Sequence, residues 1–175
     1  MSATDERTKF LNIYLQDHVA GATAGSHRAA RLADAEADSK DAAALMKFAA
    51  DVAADLDALL ELMDTLGVEP SQLKVGLASA AEKLGALKLN GRVVQRSPLS
   101  TVVELEAMQM AVRAKRSLWE TLQMAIQVPT PVDLDALIAR ADDQLVVLSR
   151  LHAGRAANTF ALQPSRPNGA RDAQA

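Results

Sequence analysis

Apolar residues recur at three- and four-residue spacings through four long stretches of the chain, which is the period of an α-helix with one buried face. The most regular stretch follows Asp38 and Ser39, either of which can cap it, and ends before Gly67, a residue suited to a left-handed helix end. The other three are predicted over residues 4–35, 97–126 and 130–162. Ser97 with Pro98, and Thr130 with Pro131, give the last two their start signals.

The second and third long helices are joined by a connection of about 30 residues, long enough to run back along a bundle. Within it, Pro70 opens a shorter helix that we expect to reach about Leu89. The other two connections are short, so each joins antiparallel neighbours. The predicted fold is an all-α four-helix bundle of two antiparallel hairpins, joined by a long crossover that contains a short fifth helix.

Composition agrees with helices and narrows the class of partner. The 175 residues are 49% apolar but only 3% aromatic, which suits one helical domain over residues 1–162, followed by a disordered tail over 163–175. The 19 basic residues are scattered among 22 acidic ones, so nucleic acid is not expected as a partner. With no cysteine, no secretory signal pattern and no long apolar run, we expect a non-redox cytoplasmic protein without a membrane span.

Five ionisable residues have apolar or small neighbours one turn away on nearly every side, so each lies on or near a buried helix face. They are Asp17, His18, Asp55, Lys115 and Asp142. Counting outward from the hairpin turns places Lys115 level with Asp142, and His18 level with Asp55. We therefore predict a polar cluster at mid-bundle in which Lys115 pairs with Asp142, and with Asp17 or Asp55 as further candidate partners. Three interpretations are open: the side chains lie at helix edges and extend into solvent, they form a buried ion network with a purely structural role, or they line a ligand pocket.

Two further patterns bear on this cluster. Gly21, Ala22 and Gly25 are small residues inside a helix, and they indicate either a tight helix crossing, which is the simpler explanation, or the close approach of a ligand. The methionines at 108, 110 and 124 are interpreted as core residues rather than as cofactor ligands. No pair of nucleophile and base can be assigned, so we predict no catalytic residue and no cofactor.

The arrangement resembles the ferritin-like four-helix bundles, and the runs HVAGATAG, KLNGR and SPLSTVVELE are similar to uncharacterised bacterial helical proteins placed near that superfamily. The resemblance implies a two-metal site built from Glu-x-x-His motifs, and this sequence contains none. A central ammonium also repels a divalent cation, and we predict no metal ligands.

Three functions are open at this point. The leading one is a structural or protein-interaction role, in which the chain dimerises through a helix face. The second is binding of a small polar or anionic ligand beside Lys115, and the third is a carboxylate-bridged metal protein.

Overall fold

The computed structural model describes residues 3–69, 97–126 and 129–161, and within them every regular element is a helix. The four helices are α1 (Ala3–Ala35), α2 (Ala42–Thr65), α3 (Pro98–Ala125) and α4 (Leu134–Phe160). The predicted all-α class and the four long helices are thus confirmed. The predicted fifth helix, the path of the crossover and the tail over 163–175 lie outside the described residues.

The start of each of the last two helices is fixed by one side chain. Ser97 is the N-cap of α3, where its hydroxyl accepts from the backbone N–H of Leu99, and Pro98 occupies the first turn as predicted. For α4 the N-cap is Asp133, whose carboxylate accepts from the N–H of Ala136 at 3.0 Å. The predicted start of α4 at Thr130 is therefore wrong by about one turn, because the acidic side chain caps more effectively than the hydroxyl before it.

The end of α2 follows the glycine signal. Gly67 has a φ of +66°, which favours glycine. The N–H of Gly67 donates to the carbonyl of Asp64, and the N–H of Val68 donates to that of Met63. This is a Schellman motif, and its usual apolar contact is present because Val68 and Met63 are buried in the same cluster. At its other end α2 begins at Ala42, a few residues later than the caps at Asp38 or Ser39 predict.

The helices form two hairpins that pack against each other. Helix α1 contacts α2 and α3, and α4 contacts α3 and α2, so α2 and α3 lie diagonally across the bundle. Helices α2 and α3 run in the same direction, because Leu45 shares a core cluster with Leu105 while Leu62 shares another with Leu122. Near the turn between α1 and α2, Glu36 joins the hairpins by accepting from the Thr101 hydroxyl at 3.0 Å and pairing with Arg155.

Two apolar clusters fill the bundle, one toward each end. The first includes Phe48, Val52 and Met108, and the second includes Leu59, Met63 and Trp119. Met108 is thus in the core as predicted. The same prediction is wrong for Met110 and Met124, which are 66% and 76% exposed on the outer face of α3.

Candidate ligand-binding site at the middle of the bundle

Asp55 lies at the boundary between the two apolar clusters and is only 2% exposed. Its position on α2 explains its burial, because Val52 is one turn before it and Leu59 one turn after it, and both are core residues. A carboxylate this deeply buried requires charged and hydrogen-bonding partners to offset the loss of hydration.

Those partners come from two other helices. From α3, the Lys115 ammonium donates to Oδ2 of Asp55 and, at 2.6 Å, to Oε1 of Gln144. From α4, the Gln144 amide donates through Nε2 to the same Asp55 oxygen at 3.0 Å. The three side chains close a hydrogen-bonded triangle across the bundle diagonal, where the backbones of α2 and α3 do not meet.

Arg140 adds a second cation to the carboxylate. Its Nε lies 2.8 Å from Oδ1 of Asp55, yet the N–H direction is not aligned well enough for a hydrogen bond. We therefore treat this contact as an ion pair without a directed hydrogen bond. Asp55 consequently faces two cations, and only one of them, Lys115, is nearly enclosed, with 13% of its side chain exposed against 34% for Arg140.

The surroundings of Lys115 disfavour its charge. Burial lowers the pKa of the ammonium below its ordinary value of 10.5, and the neighbouring carboxylate of Asp55 opposes that shift only in part. Two of the three N–H donors of the ammonium have acceptors, on Asp55 and Gln144. No third acceptor is present among the residues that the structure describes.

A cavity of about 310 Å³ lies beside this network, between α1 on one side and α2 and α3 on the other. Both members of the Asp55–Lys115 pair line it. Its remaining walls are mainly apolar and include small residues on α1 and α3, namely Gly21, Ala22, Gly25, Ala111 and Ala114. Ligand sites in proteins typically have volumes of about 300 Å³ or more and this mixture of apolar walls with a few polar groups.

The two helical glycines of the lining have open space beside them. A β-carbon added at Gly21 or at Gly25 would meet no other group within 4 Å. The tight helix crossing that we predicted as their simpler explanation is therefore wrong at both positions. The small residues face a cavity, in agreement with the ligand alternative rather than with close backbone packing.

Trp119 lines the cavity and carries a buried donor without a partner. The side chain is fully buried, and its indole Nε1–H has no acceptor among the described residues. Leaving such a group without a hydrogen bond costs about 1–3 kcal/mol.

From α1, Asp17 and His18 also line the cavity. His18 is half-buried and packs edge-on against the ring of Tyr14, with 4.5 Å between the ring centroids. Burial lowers the pKa of His18 below 6.5, and the adjacent Asp17 carboxylate opposes the shift. A neutral imidazole can both donate and accept a hydrogen bond.

Of the five side chains predicted for the cluster, the structure brings four to the cavity and leaves Asp142 outside. Asp142 is exposed and binds the neighbouring Arg116, with 2.6 Å between its Oδ1 and the Arg116 Nε. The predicted Lys115–Asp142 pair is thus absent, and Asp55 is the actual partner. Counting residues gave the correct level along the helix, but one residue corresponds to a rotation of about 100°, so Arg116 rather than Lys115 faces Asp142.

Three residues of the site were missed from the sequence. The pattern that predicts the cluster selects ionisable side chains and therefore does not select Gln144. This residue nevertheless lies on the apolar face of α4, between Ala141 and Leu148. Arg140 has the ordinary pattern of a half-exposed residue. Nothing in the sequence indicates that the Trp119 indole lacks an acceptor, since that depends on three helices at once.

No group of three or more His, Asp or Glu side chains is arranged to hold a metal ion within residues 3–69, 97–126 and 129–161. None of the helices in these ranges combines the length and apolar character needed to cross a membrane. Comparison with models of known protein families, with curated proteins and with solved structures finds no match. The ferritin-like resemblance therefore stays a prediction.

Proposed function

We propose that this protein binds a small, mainly apolar molecule that carries a hydrogen-bond acceptor, in the cavity beside Lys115. The observation that supports this most directly is an apolar cavity of about 310 Å³ lined by Lys115 and by Trp119. The third N–H of Lys115 has no acceptor in the described part of the chain. A donor without an acceptor in apolar surroundings selects for a ligand with an acceptor oxygen.

The bound molecule is expected to be neutral. The cation excess at Asp55 is one charge, but Asp17 in the lining and Asp51, which also acts electrostatically on Lys115, supply negative charge nearby. An anion would meet these carboxylates as well as the cations, so the electrostatic gain would be small. In place of the polar or anionic ligand predicted from the sequence, we propose a neutral ligand that is mainly apolar.

The single tryptophan makes this proposal directly measurable. Hexan-1-ol, an apolar probe with one acceptor oxygen, should shift the emission of Trp119 in a saturable manner. Gly21→Leu should abolish saturation, because the added side chain occupies space in which a β-carbon meets nothing within 4 Å. Gly154→Leu is the matched control, since Gly154 is also a helical glycine with open surroundings but does not line this cavity. Equal, non-saturable responses in all three proteins would contradict the proposal.

A second candidate, self-association, is supported by the outer face of α3. Leu99, Val103, Met110 and Met124 are all about half exposed or more, and they recur at four- and seven-residue spacings on the side opposite the core. We propose that this face supports a homodimer. Sedimentation should give a mass that falls to that of the monomer in Val103→Glu/Met110→Glu. A monomeric parent protein would refute the dimer.

We also propose how the two hairpins are connected. Since α2 and α3 run in the same direction, residues 69 and 97 lie toward opposite ends of the bundle, which supports a ferritin-like crossover between them. Residues 1–162 as one domain and a cytoplasmic location likewise stay predictions.

A further inference from the structure

We propose that Lys115 is a nucleophilic amine that forms an imine with a small apolar aldehyde or ketone in the cavity. This inference rests on the proposed binding function and adds a covalent step to it. It follows from the arrangement of two cations around one carboxylate, from the count of acceptors around the amine and from the apolar walls.

The charge balance of the buried network favours the neutral amine. With Lys115 protonated, Asp55 faces two positive groups, and the network itself carries a charge of +1, which the carboxylate of Asp51 offsets only in part. When Lys115 loses its proton, the carboxylate of Asp55 keeps the guanidinium of Arg140 as its counter-ion, and the network becomes neutral. Uncompensated charge is costly in apolar surroundings, so the neutral state is favoured here more than at an exposed lysine.

The hydrogen bonds of the network are also compatible with the neutral amine. The amine needs only two N–H groups to keep its bonds to Asp55 and Gln144, and a neutral amine has two. Its lone pair then takes the direction of the third proton, for which the described residues offer no acceptor. Deprotonation therefore breaks none of the hydrogen bonds that hold the side chain.

The charged groups around Lys115 come from all the packed helices. Asp55 and Asp51 on α2 favour the ammonium, Arg140 on α4 disfavours it, and burial is the largest influence and lowers the pKa of Lys115. On α1, Asp17 and the half-buried His18 line the opposite wall of the cavity. A lysine desolvated in an apolar pocket beside another cation is a recurrent form of activated amine.

Imine formation needs no reagent other than the amine and the carbonyl compound. The ammonium releases its proton to solvent, and the amine lone pair attacks the carbonyl carbon to form a C–N bond as the carbonyl π bond breaks. One proton then passes from the nitrogen to the carbonyl oxygen, which becomes the hydroxyl of a carbinolamine. The second N–H proton passes to this hydroxyl as the C–O bond breaks, so that water leaves and a neutral C=N bond remains.

Reductive trapping tests the inference on the whole chain. The protein is incubated with hexanal and sodium cyanoborohydride near neutral pH, and the alkylated lysines are quantified by peptide mass spectrometry. We expect Lys115 to be alkylated faster than Lys47, whose side chain is 76% exposed, because burial lowers the pKa of Lys115 and leaves more of it as free amine. Hexan-1-ol, which cannot form an imine, should suppress alkylation of Lys115 and leave Lys47 unaffected.

The control variants distinguish imine formation at Lys115 from simple binding in the cavity. Lys115→Arg should lose the adduct at position 115, while Lys47 of the same variant is alkylated at the parent rate and the circular dichroism of the helices shows that the fold persists. A saturable response to hexan-1-ol with no preference of hexanal for Lys115 would overturn the imine and leave the binding function standing. Absence of both the response and the preference would overturn both. Retention of the hexanol-sensitive adduct in Gly21→Leu would also overturn the imine site, because its space is then filled.

Discussion

At the scale of single residues, Asp55 determines the character of the site. It is a carboxylate placed on the buried face of α2, where an apolar residue would have continued the core. Lys115, Gln144 and Arg140 reach it from two other helices and compensate for most of its lost hydration. The polar groups at mid-bundle therefore depend on one another, and removal of one leaves the others in surroundings that disfavour charge.

We predict that Asp55→Ala lowers the free energy of unfolding by about 3–5 kcal/mol, because Lys115 and Gln144 lose their common acceptor in a buried site. Asp142→Ala is the matched control, since Asp142 is also a carboxylate paired with a cation of α3 but is exposed. It should cost less than about 1 kcal/mol. Urea denaturation measures both, and similar losses in the two variants would contradict the structure.

The two cavity glycines should lower the stability of α1. Gly21→Ala and Gly25→Ala are each expected to raise the free energy of unfolding by about 0.5–1 kcal/mol, since the new methyl group meets nothing and alanine restricts the unfolded chain. Gly67→Ala should instead destabilise by about 1–2 kcal/mol because of its φ of +66°. Urea midpoints of the three variants check these signs. A loss of stability in Gly21→Ala would show that its surroundings are tighter than described.

His18 should make stability depend on pH in mildly acidic solution. Since burial lowers its pKa in the folded protein, the unfolded chain binds a proton first as the pH falls through about 6.5. The stability present above that pH should therefore decrease on acidification. Urea midpoints between about pH 7.5 and pH 5.5 should fall less steeply in His18→Gln than in the parent protein. If His18→Gln leaves the pH dependence of the urea midpoint unchanged, His18 is not the cause of that dependence. His27→Gln serves as the control.

At the scale of the helices, capping decides where elements begin. Asp133 accepts a hydrogen bond from the first turn of α4, whereas Asp41 occupies the corresponding place before α2 and makes no side-chain cap bond. The second helix is instead held in place by packing, since seven of its residues are buried.

We predict that Asp133→Ala lowers the free energy of unfolding by about 1 kcal/mol, the usual effect of losing an N-cap side chain. Asp41→Ala should change the free energy of unfolding by only a few tenths of the Asp133→Ala effect, because the backbone of α2 loses no cap bond. Thermal unfolding of the two variants gives the comparison. A larger loss in Asp41→Ala would mean that its 3.7 Å approach to Arg155 contributes more than the cap of α4.

At the scale of the whole molecule, a polar layer separates two apolar clusters and joins the two hairpins. Asp55 belongs to the first hairpin, while Lys115 and Gln144 belong to the second, so every bond of the triangle except the Lys115–Gln144 bond crosses between hairpins. Buried ionic groups of this kind are often less stabilising than well-packed apolar side chains of similar volume. Stability alone therefore does not explain the layer, and binding is the explanation that we propose.

Replacing the triangle as a unit tests this explanation. The triple variant Asp55→Leu/Lys115→Met/Gln144→Leu should be at least as stable as the parent protein, because no buried partner is left without its counterpart and Arg140 can turn its half-exposed side chain to solvent. It should also lose preferential alkylation by hexanal. A decrease in unfolding free energy of more than about 1 kcal/mol would show that the layer serves the fold itself.

The sequence alone determined the helices and their faces, because helix formation depends on local spacing, caps and glycines such as Gly67. It also placed Asp55 and Lys115 near the middle of the bundle. Only the tertiary structure decided the rest. Which side chain faces the core at mid-bundle depends on the rotation of each helix about its own axis. For that reason the partner of Lys115 is Asp55 and not Asp142. The cavity at Gly21 and Gly25, and the unpartnered indole of Trp119, exist only because three helices pack at particular distances, which no local pattern encodes.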